Sequence, residues 1–452
     1  MNIIVVGAGK IGSALAGCLS DEGHNITVIE RNPDRVSRIS NNYDVMTICA
    51  EGDIDSLKEA SAEKADLLIA ATNSDESNIL CCLVGRKLGV KNTVARVREE
   101  ANYREVLFLE KELGLSLVIN PELACANRIS RMLRFPASAQ VDSFAHDEAE
   151  LAQFELKAKN PLCGTALTDY HRTVGDGTLV AAVVRDGNAL LPQSDFRFME
   201  GDTVLVVGPP HGVSRLARKL HVLRGGAEGA LIVGGGRIGA YLARELVQAG
   251  VGVTLIESDQ EIAEEVKDQL PQAEVICDDG TQPSCLDEAG IESTDAFVAL
   301  TGMDEVNTIL CAYARSRGVA KAIAKVSEAH FVGMASTFGL DDPMQPQVII
   351  AEQVLQHVRG IENSARARDV ELQRSVIDGQ IEVLEFLAKD GSPCLDAPLS
   401  KLSLREGALV AAIIHGGVCA IPTGSSTIHA GDRVLVVTTH AGMTQLEDIL
   451  KD

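Results

Sequence analysis

The sequence predicts an α/β chain built twice over, each half a doubly wound parallel sheet followed by a smaller α+β domain. Three observations predict it. An apolar run at residues 3–6 breaks into Gly7, Gly9 and Gly12 with the spacing G-x-G-x-x-G. Behind it, short apolar segments alternate with helical ones, the mark of parallel βα units. The opening then returns, because Gly234, Gly236 and Gly239 repeat the three glycines at a shift of 227 residues.

Composition narrows the function classes. A length of 452 residues suits two to four domains, and 46% hydrophobic residues suffice for several cores. The net charge of −23 repels phosphodiester backbones and anionic lipid head groups, which excludes nucleic acid and direct lipid insertion. No stretch nears 18 consecutive apolar residues, and the chain opens on a strand without a basic leader. A cytosolic location is expected, with any membrane contact running through a protein partner. None of the eleven cysteines falls in C-x-x-C spacing, so all are expected as buried thiols. The ten histidines lack metal-ligand spacing, and no metal is expected. With 3% aromatic residues and no Trp, a base-stacking platform is unsupported.

The elements follow in order. Residues 3–6 read as a buried strand turning into a helix over 13–19. The first glycine permits the tight turn, the second lets backbone N–H groups approach a pyrophosphate, and the third lets helix and strand pack. The helix N-terminus then faces the anion. A strand at 25–29 ends in Glu30, 18 residues beyond Gly12. A dinucleotide fold places there the carboxylate that accepts hydrogen bonds from the adenosine ribose, which favours NAD(H) over NADP(H). Strand 45–49, the turn Glu51-Gly52-Asp53, a helix from Ile54, strand 66–71, helix 76–88 and strand 92–97 complete the pattern. At the carboxyl ends of these strands lie Gly52 and Asp53; Thr72, Asn73 and Ser74; Arg96 and Arg98. Hydroxyls, an amide and guanidinium groups suit phosphate and ribose.

Pro121 heads a helical segment whose stripe of Leu123, Ala126, Ile129, Met132 and Leu133 either joins the core or packs on a second subunit. Residues 137–150 read as a polar linker, with His146-Asp147-Glu148 as a charged cluster inside it. A small domain follows, with β-runs at 153–156, 178–184, 189–191 and 203–207 and a helix near 213–220. The whole order then repeats: Glu257 matches Glu30, Cys277 to Gly280 match Cys49 to Gly52, and Ala430-Gly431-Asp432 match Glu200-Gly201-Asp202. The domains expected are 1–136, 137–226, 227–362 and 363–452, a tandem duplication of one two-domain unit.

The stretches MNIIVVGAGKIG, CAEGDIDSL, AATNSDESN, ARVREEANY and NPELACANRI, with VGGGRIGAYLARELV and TLIESD in the second half, carry a resemblance over nearly the full length. The chain resembles the regulatory subunits of Trk-type bacterial potassium-uptake systems, the TrkA family. Its larger, Rossmann-like domains are called RCK-N or KTN, its smaller ones RCK-C. The resemblance implies a homotetrameric ring beneath a TrkH- or TrkG-like membrane potassium-translocating subunit, with NAD(H), ATP or ADP bound as regulators and no catalytic residues. It implies that Gly7, Ala8, Gly9, Lys10, Ile11 and Gly12 cradle phosphate, that Glu30 holds the ribose and that Asp53 lies near the adenine. Thr72, Asn73, Ser74 and Arg98 would complete that pocket. The second half keeps Gly234, Gly235, Gly236, Arg237, Ile238, Gly239 and Glu257. There, however, Thr281 stands for Asp53, Gly302 and Met303 for Asn73 and Ser74, and Ser327 for Arg98.

Two other readings stand beside this one. An NAD-dependent oxidoreductase needs a general acid or base near the nicotinamide. His171 and Arg172 of the first small domain have no matching pair in the second, where Lys401, Leu402 and Ser403 stand, which argues against it. An orphan nucleotide sensor with some other partner is the third.

Overall fold

The computed structural model describes residues 1–452 apart from 136–139, 146, 158–159, 174–176, 221–225, 329–330, 334, 336–339, 341–342, 366–369, 378–379, 441 and 452. His146 and the side chains of His171 and Arg172 lie outside the described residues.

The first sheet holds β1 (Asn2–Val6), β2 (Asn25–Ile29), β3 (Met46–Ile48), β4 (Leu67–Ala70), β5 (Asn92–Arg96) and β6 (Leu117–Ile119). Every pairing is parallel, in the order β3-β2-β1-β4-β5-β6. All four residues of β4 are buried, as helices on both faces require. The strand order reverses direction between β1 and β4, which opens a crevice at their carboxyl ends. Helix Lys10–Asp21 starts three residues before the expected 13 because Gly9 serves as its N-cap.

The small domain contributes β7 (Gln140–Phe144), β8 (Ala149–Glu155), β9 (Leu179–Arg185), β10 (Asn188–Leu190) and β11 (Thr203–Gly208), antiparallel in the order β10-β9-β11-β8-β7. The linker expected over 137–150 is therefore corrected. It contains an edge strand, whose last residue, Phe144, is fully buried. Net polarity hid the apolar residues that face the other small sheet.

The second half repeats both sheets. Parallel β12 (Gly229–Val233), β13 (Gly252–Glu257), β14 (Glu274–Cys277), β15 (Ala296–Ala299) and β16 (Lys321–Ala324) run in the order β14-β13-β12-β15-β16. Among the described residues, a single parallel bridge between Lys325 and Met344 stands where the first half has β6. Antiparallel β17 (Val370–Val376), β18 (Ile381–Leu387), β19 (Ala408–His415), β20 (Val418–Ala420) and β21 (Arg433–Thr438) complete the chain in the order β17-β18-β21-β19-β20.

The halves exchange helices. Helix Pro121–Arg134 leaves β6 and lays Cys125, Ala126, Ile129 and Leu133 into the core of the second parallel sheet, beside Leu242, Leu246 and Leu255. Helix Pro346–Ala365 returns Ile350, Ala351, Val354 and Val358 to the first, beside Val5, Leu15 and Leu19. The stripe after Pro121 thus packs on the other half of its own chain. Each buried Ile, Leu or Val contributes roughly 1.5–3 kcal/mol, so neither parallel sheet has a complete core alone. Lys321 Nζ seals the first exchange by donating to the carbonyls of Met132 (2.8 Å), Leu133 (3.1 Å) and Phe135 (2.8 Å), a cation where the helix dipole is negative. The two small sheets share one further core, in which Phe144, Leu151, Leu205 and Val207 meet Val383, Ala411, Leu435 and Val437.

The cysteines divide. Cys81, Cys82, Cys125, Cys285, Cys311 and Cys394 are buried, but Cys49 and Cys277 are exposed. Both exposed thiols lie at the ends of edge strands β3 and β14, where no neighbouring strand covers them.

Candidate functional site

Two glycine turns sit at the carboxyl ends of β1 and β12, and their geometry separates the duties of the three glycines. Gly7 has φ +97, and its N–H donates to the Ile29 carbonyl at 2.8 Å. A Cβ on Gly12 would lie 1.8 Å from the Gly7 carbonyl oxygen, so any side chain there would push the helix off the turn. At Gly9 an added Cβ would meet nothing within 4 Å. The second half repeats this: Gly234 has φ +107, a Cβ on Gly239 would lie 2.0 Å from the Gly234 oxygen, and Gly236 faces open space. Two glycines of each turn are therefore explained by the protein itself, and the middle one by room left for something else. Gly9 and Gly236 cap their helices without a side-chain hydrogen bond, which leaves the first N–H groups free for an anion. That arrangement fits a pyrophosphate. Ala8 and Ile11 turn their side chains into the core and offer backbone only, while Lys10 is exposed.

Glu30 lies at the floor, 6% exposed. One carboxylate oxygen accepts the Ala8 N–H at 2.7 Å and the other the Asn32 N–H at 2.9 Å, with Arg35 3.8 Å away. Glu257 repeats the pattern on Gly235 (2.6 Å) and Asp259 (2.9 Å). Each carboxylate thus ties its glycine turn to the end of the second strand. Carboxylate oxygens have lone pairs left for ribose hydroxyls, because each can accept two hydrogen bonds.

The remaining expected residues frame the crevice. Gly52 rests against β1, since a Cβ there would come within 2.4 Å of Val6 Cγ1. Asp53 caps helix Ile54–Glu59 in a box with Ser56, whose N–H holds the Asp53 carboxyl below its ordinary value. In the second half Asp279 accepts the Thr281 N–H instead, so the exposed capping carboxylate is missing. Thr72 is locked by Asn78, whose side-chain oxygen takes both its N–H (2.8 Å) and its hydroxyl (2.7 Å). Asn73 is exposed, and Ser74 caps helix Asp75–Leu88. Arg98 is not a free cation: its Nε donates to Glu122 at 2.9 Å, on the first turn of the exchanged helix. Arg96 donates to the Thr72 carbonyl at 3.2 Å, and burial lowers its pKa against the pull of Glu122.

Several residues that organise the site were not singled out from sequence. Asn78 and Asn307 are fully buried and make the same bonds, and Asp75 and Asp304 each accept two backbone N–H groups from the loop beyond the next strand. Their shared shift of 229 was the available signal. Contacts between the halves were invisible to it. Lys10 Nζ lies 3.2 Å from Glu328, Arg237 bonds Glu99, Arg244 bonds Glu100 at 2.6 Å, and the Asn120 amide reaches Tyr241 at 3.3 Å. The two turns flank one interface.

Residues 3–121 and 230–346 match the TrkA-N domain model, and residues 151–221 and 383–451 the TrkA-C domain model. The Trk system potassium uptake protein TrkA of Vibrio alginolyticus is 31% identical over 444 residues, covering 96% of this chain and 95% of its own. That of Azorhizobium caulinodans is 30% identical, covering 100% and 99%. Among solved structures, the GsuK channel bound to NAD aligns with a TM-score of 0.57 at 19% identity, over 97% of this chain and 76% of its own. The GsuK RCK domain gives 0.57 at 18%, over 98% and 92%, and these likenesses show a common fold. With both domain types matched twice in alternation and relatives that run its whole length, the chain belongs to the TrkA family of Trk system potassium uptake proteins.

Proposed function

We propose that this protein is a cytoplasmic regulatory subunit that binds NAD(H) and the adenine nucleotides ATP and ADP and thereby gates a membrane potassium-translocating subunit of the TrkH or TrkG kind. The open space at Gly9 and Gly236, beside uncapped helix N-termini, is the observation that carries it. Ligands act as effectors. The exchanged helices join the two pockets, so a nucleotide that prefers one arrangement of the halves shifts the whole chain toward it. The first pocket, with Asp53, Asn73 and Ser74, holds the ligand more tightly than the second. Assembly is a homotetramer with domain boundaries near 136, 226 and 362, attached to the membrane through its partner.

The test is potassium flux through the reconstituted membrane partner, with and without this protein, in NAD, NADH, ADP and ATP. Flux should differ between at least two nucleotides, since a ligand that binds both states equally moves nothing. Identical flux in all four, with binding confirmed in parallel, overturns the gating role. Steady oxidation of NADH with a carbonyl substrate would instead favour the oxidoreductase.

A further inference from the structure

We propose that the chain carries a third ligand site, for a small organic polyanion, in the cavity between its parallel-sheet and small-sheet layers. The cavity has a volume of about 1190 Å³. Lys91 and Asn92 at the start of β5, Ser116 before β6 and Lys321 at the start of β16 line it, which places it at the amino ends of the parallel strands. The glycine turns lie at the opposite ends, and none of their residues borders it. Both exchanged helices and strands β7, β17, β18 and β21 supply much of the remaining wall.

Its charge runs against that of the chain. Among the described residues, eight lysine and arginine side chains line it against five carboxylates, in a protein with 41 basic and 64 acidic residues. Pairing reduces the surplus without cancelling it: Lys91 is held by Asp66 at 3.1 Å and Lys321 by three backbone carbonyls. Arg131 takes Asp147 at 2.7 Å, and Arg433 takes both Glu371 and Glu385. That places three of the five carboxylates on two of the eight cations. Arg128 has Glu352 no nearer than 4.0 Å, the limit of an ion pair, and its side chain is half exposed. Arg374 is exposed on β17. A low-dielectric wall concentrates the field of such cations and raises the local concentration of anions.

A second feature also points to an occupant. His357 lines the cavity, and its Nε2, turned away from the open space, is shut off from solvent with no hydrogen-bond partner among the described residues. Burial pulls the imidazole down to about 4, so it is a neutral ring with an unmet hydrogen-bonding capacity. Buried polar groups are paired in nearly all folded proteins, and a small turn of this ring toward the cavity would bring it to a ligand oxygen. Met132, Ile349, Ile361 and Leu372 give the same wall an apolar part, which suits the carbon skeleton of a metabolite better than a simple ion.

The experiment titrates inorganic tripolyphosphate and, separately, citrate into the full-length protein by calorimetry. One saturable site per chain is expected for at least one probe, and the two arms tell phosphate from carboxylate chemistry. The Gly9→Val, Gly236→Val double variant fills both turns and should leave this binding within twofold. Arg128→Ala with Arg374→Ala should weaken it at least tenfold, and Arg128→Lys with Arg374→Lys should recover most of it. The His357 ring signals should shift on titration in NMR. Absence of binding by both probes overturns the proposal, as does binding that disappears in the glycine variant and persists in the arginine one.

Discussion

Lys10 Nζ lies 3.2 Å from the Glu328 carboxylate of the other half, and Arg237 meets Glu99 in the equivalent position. The cation of each glycine turn is thus shared with a carboxylate across the interface, and phosphate must compete for it. Both side chains of the first pair are more than half exposed, so the bridge itself stabilises little, about 0–1 kcal/mol. Glu328→Gln should leave thermal stability nearly unchanged and tighten ADP at the first pocket about two- to fivefold. Unchanged or weaker ADP binding by calorimetry would show that Lys10 does not meet the phosphates.

Glu30 has a framing duty that its place in the motif did not announce. Glu30→Ala removes the acceptor for the Ala8 and Asn32 N–H groups, which should cost about 1–3 kcal/mol of stability. It should also weaken NADH tenfold or more, about 1.4 kcal/mol or above. Urea denaturation and calorimetry separate the two effects. Full NADH affinity in a destabilised variant would reduce Glu30 to a brace for the turn.

Helix exchange predicts damage at a distance. Ile350 is fully buried, yet the core it fills belongs to the first parallel sheet. Ile350→Ala should cost about 2–5 kcal/mol. Hydrogen exchange should quicken first in helix Lys10–Asp21, more than three hundred residues away in sequence. Faster exchange confined to the second parallel sheet would contradict the exchange.

A half-buried carboxyl sets a pH dependence. Glu148 is raised from 4.5 to about 7, mainly by burial and then by Glu245 and Asp147. Below about pH 4.5 it is protonated in both states and its stabilisation is complete. As pH rises toward 7 the unfolded chain has lost this proton while the fold keeps it, so stability falls. Above 7 the loss is full, on the order of 1–3 kcal/mol. Glu148→Gln should match the parent at pH 4.5 and exceed it at pH 8 in urea midpoint. An equal slope in both proteins would exclude Glu148 as the source.

Legibility followed the range of the interactions. Glycine spacing, strand runs and the repeat are local or internally compared, and β1, β2, β4 and β5 lie within a residue or two of the positions their sequences suggest. Edge strand β7 was lost because its polar residues outnumber the Phe144 that anchors it. Arg98 reads as a free cation until Glu122 appears beside it, 24 residues on. Glu99 stands inside the stretch ARVREEANY without a role read from it, Glu328 stands in no quoted stretch, and only the docking of the two halves gives either a role.

The exchange of helices also bears on how the two pockets came to differ. A single two-domain unit with this architecture could complete its core only by finding a second copy, and its fold would weaken on dilution. Joining the copies end to end fixes the mate at an effective concentration in the millimolar range whatever the cellular abundance. Identical copies must serve both sides of a contact at once, whereas a fused pair is released from that symmetry. Each side can then acquire its own residues, as Lys321 has, sealing one exchanged helix while the matching position at the other carries Asn92. Pairing has become a property of the covalent chain, and the freedom gained is what allows one pocket to keep Asp53 while the other makes do with Thr281.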